Sequence, residues 1–210
     1  PEAVKAGYSL TWDSVPADKM PAGNTTYNAL WIARNYTMTF NSDGGTAVAP
    51  IEQAYDTTVT PPSNPTRTGY SFKGWLKDGN PYTINTMPAE NITLTASWQA
   101  NKYNYDLALN GGTLSGYGAL IHTYDQQTVL PAASNITKTG YIFSGWYLAE
   151  NFTGTNQTSI AGTQTWEGTR TYYAKWEPES YTITFALNNG TDNVVKNNVT
   201  YGTAFSSIKP

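Results

Sequence analysis

The chain has 210 residues, of which 14% are aromatic and only 13% are charged, and its formal net charge at pH 7 is −3. A globular protein usually carries about 25% charged residues, so this surface is polar but weakly charged. The sequence has no basic run to bind nucleic acid and no apolar stretch near the ~18 residues of a membrane span. It also has no Cys, which excludes disulfides and thiolate metal sites. Because small secreted animal domains usually depend on disulfides, this composition favours a bacterial surface protein.

The chain begins with the motif Lys5-Ala-Gly-Tyr-Ser-Leu-Thr-Trp12, which is followed by a strand-like segment that ends at Trp31. From Tyr36 to Phe40, large apolar residues alternate with Thr, which is the period of a half-buried strand. Asn and Gly residues in the next segment, 41–45, predict a turn.

The following segment contains three further predicted strands. Three prolines interrupt it and leave room for at most one very short helix. The strands and the prolines are, in chain order, Ile51–Val59, Pro61, Pro62, Pro65, the strand of Tyr70 and Phe72, and the closing strand Ile92–Trp98. We therefore predict a mainly β fold.

These elements recur along the chain. The motif Arg67-Thr-Gly-Tyr-Ser-Phe-Lys-Gly-Trp75 returns at 138–146, and it returns at 5–12 without the Gly that precedes the Trp. The strand at 36–40 returns as Tyr103-Asn-Tyr-Asp-Leu107 and as Tyr181-Thr-Ile-Thr-Phe185. Repetition of a whole unit indicates a tandem array, since selection for one active site does not usually duplicate a domain.

The array can be divided in two ways. Counted from Trp to Trp, residues 1–35 are the second half of a repeat, 36–100 and 101–178 are complete repeats, and 179–210 are the first half of another. In this count the second complete repeat carries an insertion at 151–168, which we expect to be a surface excursion. Counted from Pro to Pro, with cuts near Pro65 and Pro131, the same chain is three permuted units. The sequence leaves both open. Because the chain begins inside a repeat, we expect it to be a segment of a longer protein.

Four motifs together resemble a known family, the Listeria–Bacteroides surface repeat. They are Gly-Tyr-Ser-Phe-Lys-Gly-Trp75, Tyr-Thr-Met-Thr-Phe-Asn-Ser-Asp-Gly-Gly45, Met-Pro-Ala-Glu-Asn-Ile-Thr93 and Thr-Ala-Ser-Trp98. The resemblance extends over essentially the whole chain. It implies small α+β modules of β-grasp type, arranged in an elongated tandem array, with spacer or adhesive roles in secreted or wall-anchored bacterial proteins. Fold resemblance alone does not establish function.

Two kinds of side chain could form a binding site. Trp75 and Trp146 could stack on a sugar ring, although aromatics repeated at fixed strand positions are more often core. The basic residue two positions before each Gly-Tyr (Lys5, Arg67 and Lys138) could bind an anion. A salt bridge, or a stem lying across a neighbouring Trp, is the simpler interpretation.

No pattern in the sequence indicates catalysis. His122 is the single His, so it cannot form a triad or a metal site by itself. Asp13, Asp18, Asp78 and Glu90 are predicted loop acids whose positions the other copies do not share. The turn around Asp43 lacks the further carboxylates of a calcium loop. We predict no catalytic, metal or cofactor-binding residue and no cofactor.

The preferred hypothesis is a non-catalytic stalk or adhesive segment, extracellular on a bacterial cell surface or wall. Its expected partners are a host or cell-surface protein, or a glycan, with no nucleic acid and no membrane insertion. The alternative is an array of carbohydrate-binding modules using exposed aromatics. Two structural expectations accompany this hypothesis. Trp98 and Trp176 should be largely buried. On the Trp-to-Trp count, residues 181–210 of one copy should dock on residues 1–35 of the next, whereas on the permuted count residues 1–35 should pack on residues 36–66 of the same chain.

Overall fold

The computed structural model describes residues 3–14 and 22–209. It forms two compact units, 1–99 and 100–210, and each contains one complete repeat and one half-repeat. The prediction of a mainly β fold is confirmed, because strands dominate both units.

In the first unit, the N-terminal half-repeat is a two-stranded antiparallel hairpin, and the first complete repeat is a five-stranded sheet. The strands are β1 (Tyr8–Trp12), β2 (Ala29–Ala33), β3 (Asn35–Asn41), β4 (Ile51–Ala54), β5 (Tyr70–Lys77), β6 (Asn80–Tyr82) and β7 (Ile92–Ala100). The sheet order is β4-β3-β7-β5-β6, with β3 and β7 parallel at its centre. This is the strand arrangement of a β-grasp module, and no helix is described between β4 and β5.

In the second unit, the second complete repeat has a four-stranded sheet of order β10-β8-β15-β13, again with its first and last strands, β8 and β15, parallel at the centre. The strands are β8 (Lys102–Ala108), β9 (Thr113–Leu114), β10 (Ile121–Thr123), β11 (Thr128–Val129), β12 (Ile136–Thr137), β13 (Tyr141–Tyr147), β14 (Ser159–Ile160) and β15 (Thr169–Pro178). A short 3₁₀ helix spans Ala133–Asn135. The C-terminal half-repeat is the hairpin of β16 (Ser180–Phe185) and β17 (Val194–Thr200), followed by the four-residue helix α1 (Phe205–Ile208).

Each complete repeat has its own hydrophobic core. In the first, Phe40 packs on Trp75 with 4.9 Å between ring centroids, and Met38, Met87 and Leu94 are fully buried. Among the described residues, every member of this core and of its apolar rim falls between Tyr36 and Trp98. The core of the second complete repeat likewise falls between Tyr105 and Trp176. Each of these two cores therefore lies within one stretch counted from Trp to Trp.

The β13 strand contains a β-bulge that explains the shorter motif at 5–12. In the second complete repeat the register shifts between Phe143 and Gly145, and Trp146 then pairs with Ala174. In the N-terminal half-repeat the corresponding Gly is missing, and β1 pairs with β2 without a shift, so Trp12 pairs with Ala29. Losing the bulge residue therefore keeps the Trp in register.

The insertion at 151–168 is more than a surface excursion, so that expectation is wrong. Its Ile160 is 2% exposed and belongs to the core. The Leu130 amide bonds the Thr158 carbonyl in the same way that the Val59 amide bonds the Asn85 carbonyl, at 2.9 and 2.8 Å. Two residues beyond those carbonyls, Ile160 fills the place that Met87 fills in the first complete repeat. The longer loop thus places an apolar side chain in this core position, which close packing of the interior would otherwise leave empty.

Candidate functional site at the joint between repeats

The most distinctive site is a joint in which a Gly-Tyr motif contacts the next repeat. In the first unit, the Arg34 amide donates to the Gly7 carbonyl at 2.9 Å, and the Tyr55 amide donates to the Arg34 carbonyl at 2.8 Å. The rings of Tyr8 and Tyr55 meet edge to face, 5.5 Å apart at 84°. This geometry is favourable for aromatic pairs and connects the N-terminal half-repeat to the first complete repeat.

The second unit repeats this joint residue for residue. The Glu179 amide donates to the Gly140 carbonyl at 2.9 Å, and the Tyr201 amide donates to the Glu179 carbonyl at 2.7 Å. Tyr141 and Tyr201 also meet edge to face, 5.5 Å apart at 72°. Two independent copies with the same bonds and nearly the same ring geometry indicate one structural device.

Glycine is required in this joint for two reasons. Gly7 and Gly140 have φ values of +79° and +77°, which L side chains rarely adopt. In addition, a Cβ on Gly7 would lie 2.3 Å from the Tyr55 ring, and a Cβ on Gly140 would lie 2.3 Å from the Tyr201 ring. The Gly of the Gly-Tyr motif therefore leaves room for the aromatic ring of the next repeat.

The basic residue of each motif lies over its Tyr, three residues further on. The Lys5 Nζ is 4.0 Å from the Tyr8 ring centroid, the Arg67 Cζ is 4.1 Å from that of Tyr70, and the Lys138 Nζ is 4.4 Å from that of Tyr141. The simpler interpretation is confirmed at two of the three positions: Arg67 forms a salt bridge with Asp43 at 3.7 Å, and the Lys138 Nζ also lies 5.8 Å from the Trp176 ring centroid. In all three motifs, however, the nearest ring is the Tyr of the motif. Arg67 and Lys138 also donate to backbone carbonyls, those of Asp43 and Asn110, at 2.9 and 2.8 Å. These cations act within the fold.

Trp75 and Trp146 do not form a platform for sugar, because both side chains are buried. Trp75 is 7% exposed and Trp146 is 1% exposed. Trp146 borders a cavity of about 310 Å³, but its indole N–H donates to the Pro131 carbonyl at 2.8 Å. The Asn156 side chain at this cavity accepts from the Trp146 amide at 3.1 Å. The polar groups beside this Trp are therefore engaged within the protein.

Trp98 and Trp176 lie at the edge of each core and are partly buried. Their indole N–H groups donate to the carbonyls of Ser42 and Leu109 at 3.0 and 2.8 Å. Trp75 and Trp146 are the more deeply buried pair. The closing strands thus end at the rim of the core.

His122 is a buried structural residue. It is fully buried, it stacks on Trp166 with 5.5 Å between ring centroids, and its Nδ1 lies 2.9 Å from the Thr128 hydroxyl. Burial lowers the pKa of His122, while the backbone of Gly162 and Gln164 opposes that shift. Trp166 comes from the insertion, so this stacking belongs to the second complete repeat.

The candidate acids are engaged separately. Asp13 accepts hydrogen bonds from the Asn28 side chain and amide at 2.6 and 3.1 Å, which hold its pKa below the usual value. Glu90 pairs with Lys77. Asp18 lies outside the described residues. Within residues 3–14 and 22–209, no group of three or more His, Asp or Glu could hold a metal ion, and no helix is long and apolar enough to cross a bilayer.

The family model of the Listeria-Bacteroides repeat domain matches residues 36–97 and 103–175, which are the two regions with their own cores. The chain belongs to the Listeria-Bacteroides repeat family. Each joint connects a match to residues outside it. Tyr55 lies inside the first match and Gly140 and Tyr141 lie inside the second, whereas their joint partners lie outside.

Three relatives are similar to this chain in sequence. A protein of Evansella cellulosilytica named as a Gly-rich membrane protein is 32% identical over 203 residues, covering 89% of this chain and 23% of the relative. A second protein of that organism, named as a membrane protein, is 31% identical, covering 88% of this chain and 27% of the relative. Internalin H of Listeria monocytogenes is 30% identical over 185 residues, covering 73% of this chain and 32% of the relative. The chain spans about a quarter to a third of the length of these relatives.

Proposed function

We propose that this chain is a non-catalytic spacer segment of an extracellular bacterial surface protein. Its repeats would hold a binding domain away from the cell, with successive repeats fixed by the Gly-Tyr joint. Membership of the surface repeat family and the names of the relatives support the location. The recurrence of one joint in both units supports the spacer role, because flexible linkers would not need it.

The two joints contain several linked contacts each. Two backbone hydrogen bonds, one edge-to-face aromatic pair and one cation over the first Tyr act on the same few residues in each joint. Each contact of this kind contributes about 0.5–1.5 kcal/mol. Because the contacts in a joint share residues, together they restrict movement of one repeat against the next. A joint of this type suits a spacer, because it keeps successive repeats in a fixed orientation.

The carbohydrate-binding alternative is less well supported. It needs exposed aromatic faces in successive repeats, whereas Trp75 and Trp146 are buried. Sequence resemblance to surface proteins fits both roles, so burial of these rings carries the choice between them.

The spacer role can be tested by placing the chain between a wall anchor and a fluorescent head on a bacterial cell. Fluorescence lifetime near a metal film reports the height of the head above the cell surface. With the natural sequence we expect one narrow height distribution, and with Tyr55→Ala and Tyr201→Ala together a broader one. Tyr82→Ala is the matched control, because Tyr82 packs on the first core away from the joint. Equal distributions for the natural chain and the double variant would contradict the proposal, as would saturable binding of a wall glycan by the displayed chain.

A further inference from the structure

The two complete repeats differ at the outer edge of the sheet. In the first complete repeat, β6 lies along β5, with Tyr82 opposite Trp75. In the second, β13 is the outermost of the described strands in its sheet, and an isolated bridge between Trp146 and Gln157 stands where β6 pairs in the first. The sheet of the second complete repeat therefore ends at β13, and a strand edge of this kind can accept an added strand.

The second complete repeat is also shorter by two residues at this place. In the first complete repeat, residues 82–84 connect the position opposite the Trp to Asn85, whose carbonyl accepts the hydrogen bond from the loop before the core. In the second, Gln157 alone connects the position opposite the Trp to Thr158, whose carbonyl accepts the equivalent bond. One residue therefore replaces three.

Two of the replaced residues carry apolar side chains that pack on the first core. Ile84 is 8% exposed and belongs to that core, and Tyr82 packs against it. Gln157 does not substitute for them, because its side-chain amide donates to the carbonyl and to the hydroxyl of Thr155, both at 2.9 Å. A position that close packing fills in one repeat is thus left without an apolar side chain in the other.

The cavity of about 310 Å³ beside Trp146 lies at this position. Its walls are the segments 129–133, 143–146 and 156–158. Phe143 and Trp146 form an aromatic wall, and Val129, which also lines the cavity, is 65% exposed, so the cavity reaches the protein surface. Apolar and aromatic walls of this kind are typical of a pocket that takes an apolar group.

We propose that this cavity is a docking site for an extended segment of another protein, which lies along the outer edge of β13 and places an aromatic side chain beside Trp146. The strand β6 indicates the chemistry of the occupant, since it covers the equivalent edge in the first complete repeat and carries Tyr82. The Trp146 amide is now held by the Asn156 side chain at 3.1 Å, and the incoming main chain takes over this bond. Main-chain bonds then supply affinity, and the cavity selects the side chain. This site does not depend on the spacer role.

A synthetic peptide with the sequence of residues 79–86, Gly-Asn-Pro-Tyr-Thr-Ile-Asn-Thr, is the probe, because this segment covers the equivalent edge in the first complete repeat. Added at millimolar concentration to the full ¹⁵N-labelled chain, it should shift the Gly145 amide and Trp146 indole resonances saturably. The same peptide with Tyr82→Ala and Ile84→Ala should leave both resonances in place. Absence of a saturable shift with the unaltered peptide would overturn the proposal, as would equal shifts with the two peptides.

A filled variant locates the peptide on the chain. Gln157→Ile supplies from within the apolar side chain that Ile84 supplies in the first complete repeat, so it should abolish the peptide-induced shifts. Gln126→Ile is the matched control, because it makes the same substitution at an exposed residue that does not line the cavity. The control should bind the peptide like the natural chain. Equal binding by the Gln157→Ile chain would place the contact elsewhere and contradict the proposed site.

The small molecule p-cresol, which is the Tyr side chain without its main chain, distinguishes a peptide site from a site for a free apolar compound. It should bind about tenfold more weakly than the peptide, because it makes none of the main-chain hydrogen bonds along the strand edge, of which two correspond to a factor of roughly ten. Equal affinities of p-cresol and the peptide would show a small-molecule site and overturn the assignment of a protein partner.

Discussion

Replacing Gly140 with Ala should open the joint of the second unit without unfolding the repeat. Two effects add. Ala at φ +77° carries the cost of a left-handed backbone, roughly 1–2 kcal/mol. Its Cβ would also lie 2.3 Å from the Tyr201 ring, so the ring must shift. Overpacking of this kind costs about 1–3 kcal/mol.

The matched control is Gly202→Ala, one residue after the joint Tyr. Gly202 has φ +84°, but a Cβ there meets nothing within 4 Å. Both variants therefore carry the backbone cost, and only Gly140→Ala carries the collision. The difference in free energy between the two variants therefore isolates the steric contact. A difference of about 1–3 kcal/mol corresponds to roughly a 5- to 150-fold change in the equilibrium constant for opening the joint.

Amide hydrogen exchange measures this difference at the joint itself. The Glu179 and Tyr201 amides donate across the joint, to Gly140 and Glu179. In Gly140→Ala we expect both amides to exchange faster than in Gly202→Ala by that factor, while amides of β13 and β15 stay protected. Equal exchange at Tyr201 in the two variants would refute the argument that Gly140 makes room for the ring.

Three further outcomes are expected. Trp75→Ala should destabilise the first complete repeat by about 3–5 kcal/mol in urea unfolding. This loss should exceed that of Trp98→Ala, because Trp75 is the more deeply buried residue. The reverse order would contradict the assigned core. Burial lowers the pKa of His122 below its unfolded value of 6.5, so the unfolded chain binds the proton more tightly and stability should fall as pH drops below 6.5. His122→Gln should remove that part of the pH dependence in urea midpoints measured from pH 7.5 to 5, and an unchanged pH profile would contradict it. Arg67→Met should lower the melting temperature only slightly, the cation–ring contact contributing about 0.5–1 kcal/mol, and a loss of sulfate binding in titration calorimetry would instead support an anion site.

Much of the fold can be predicted from local pattern. The alternation of Thr with Tyr36, Met38 and Phe40 specifies which face of β3 is buried, and the structure buries Met38 and Phe40. The role of the insertion cannot be predicted in this way, because Ile160 reaches the core through a long loop. No periodicity in the sequence indicates that this residue is buried. Similarly, the missing Gly at 5–12 can be seen in the sequence, but its interpretation as a lost bulge needs the strand register.

The joint could be predicted only in part. The sequence shows that Gly-Tyr and a later Tyr, such as Tyr55 or Tyr201, recur at fixed places. It does not show that they meet across a repeat boundary, because that contact depends on how one sheet follows the next. The φ near +79° at Gly7 and the ring beside it are properties of the fold. For the basic residues, the sequence predicts a salt bridge or a stem across a neighbouring Trp, and both occur, at Arg67 and at Lys138. The closer contact, with the Tyr three residues further on, depends on the turn that precedes each Tyr.

The central claim, that the joint fixes one repeat against the next, is tested most directly by a distance distribution across it. Thr11 in β1 and Thr39 in β3 are exposed, so Cys substitutions there can carry spin labels in this Cys-free chain. Pulsed double electron–electron resonance, with labelled chain diluted in unlabelled chain, should give one narrow distance for the natural joint and for Tyr82→Ala, and a broad distribution for Tyr55→Ala. A distribution already broad in the natural chain, or one that Tyr55→Ala leaves narrow, would contradict the account.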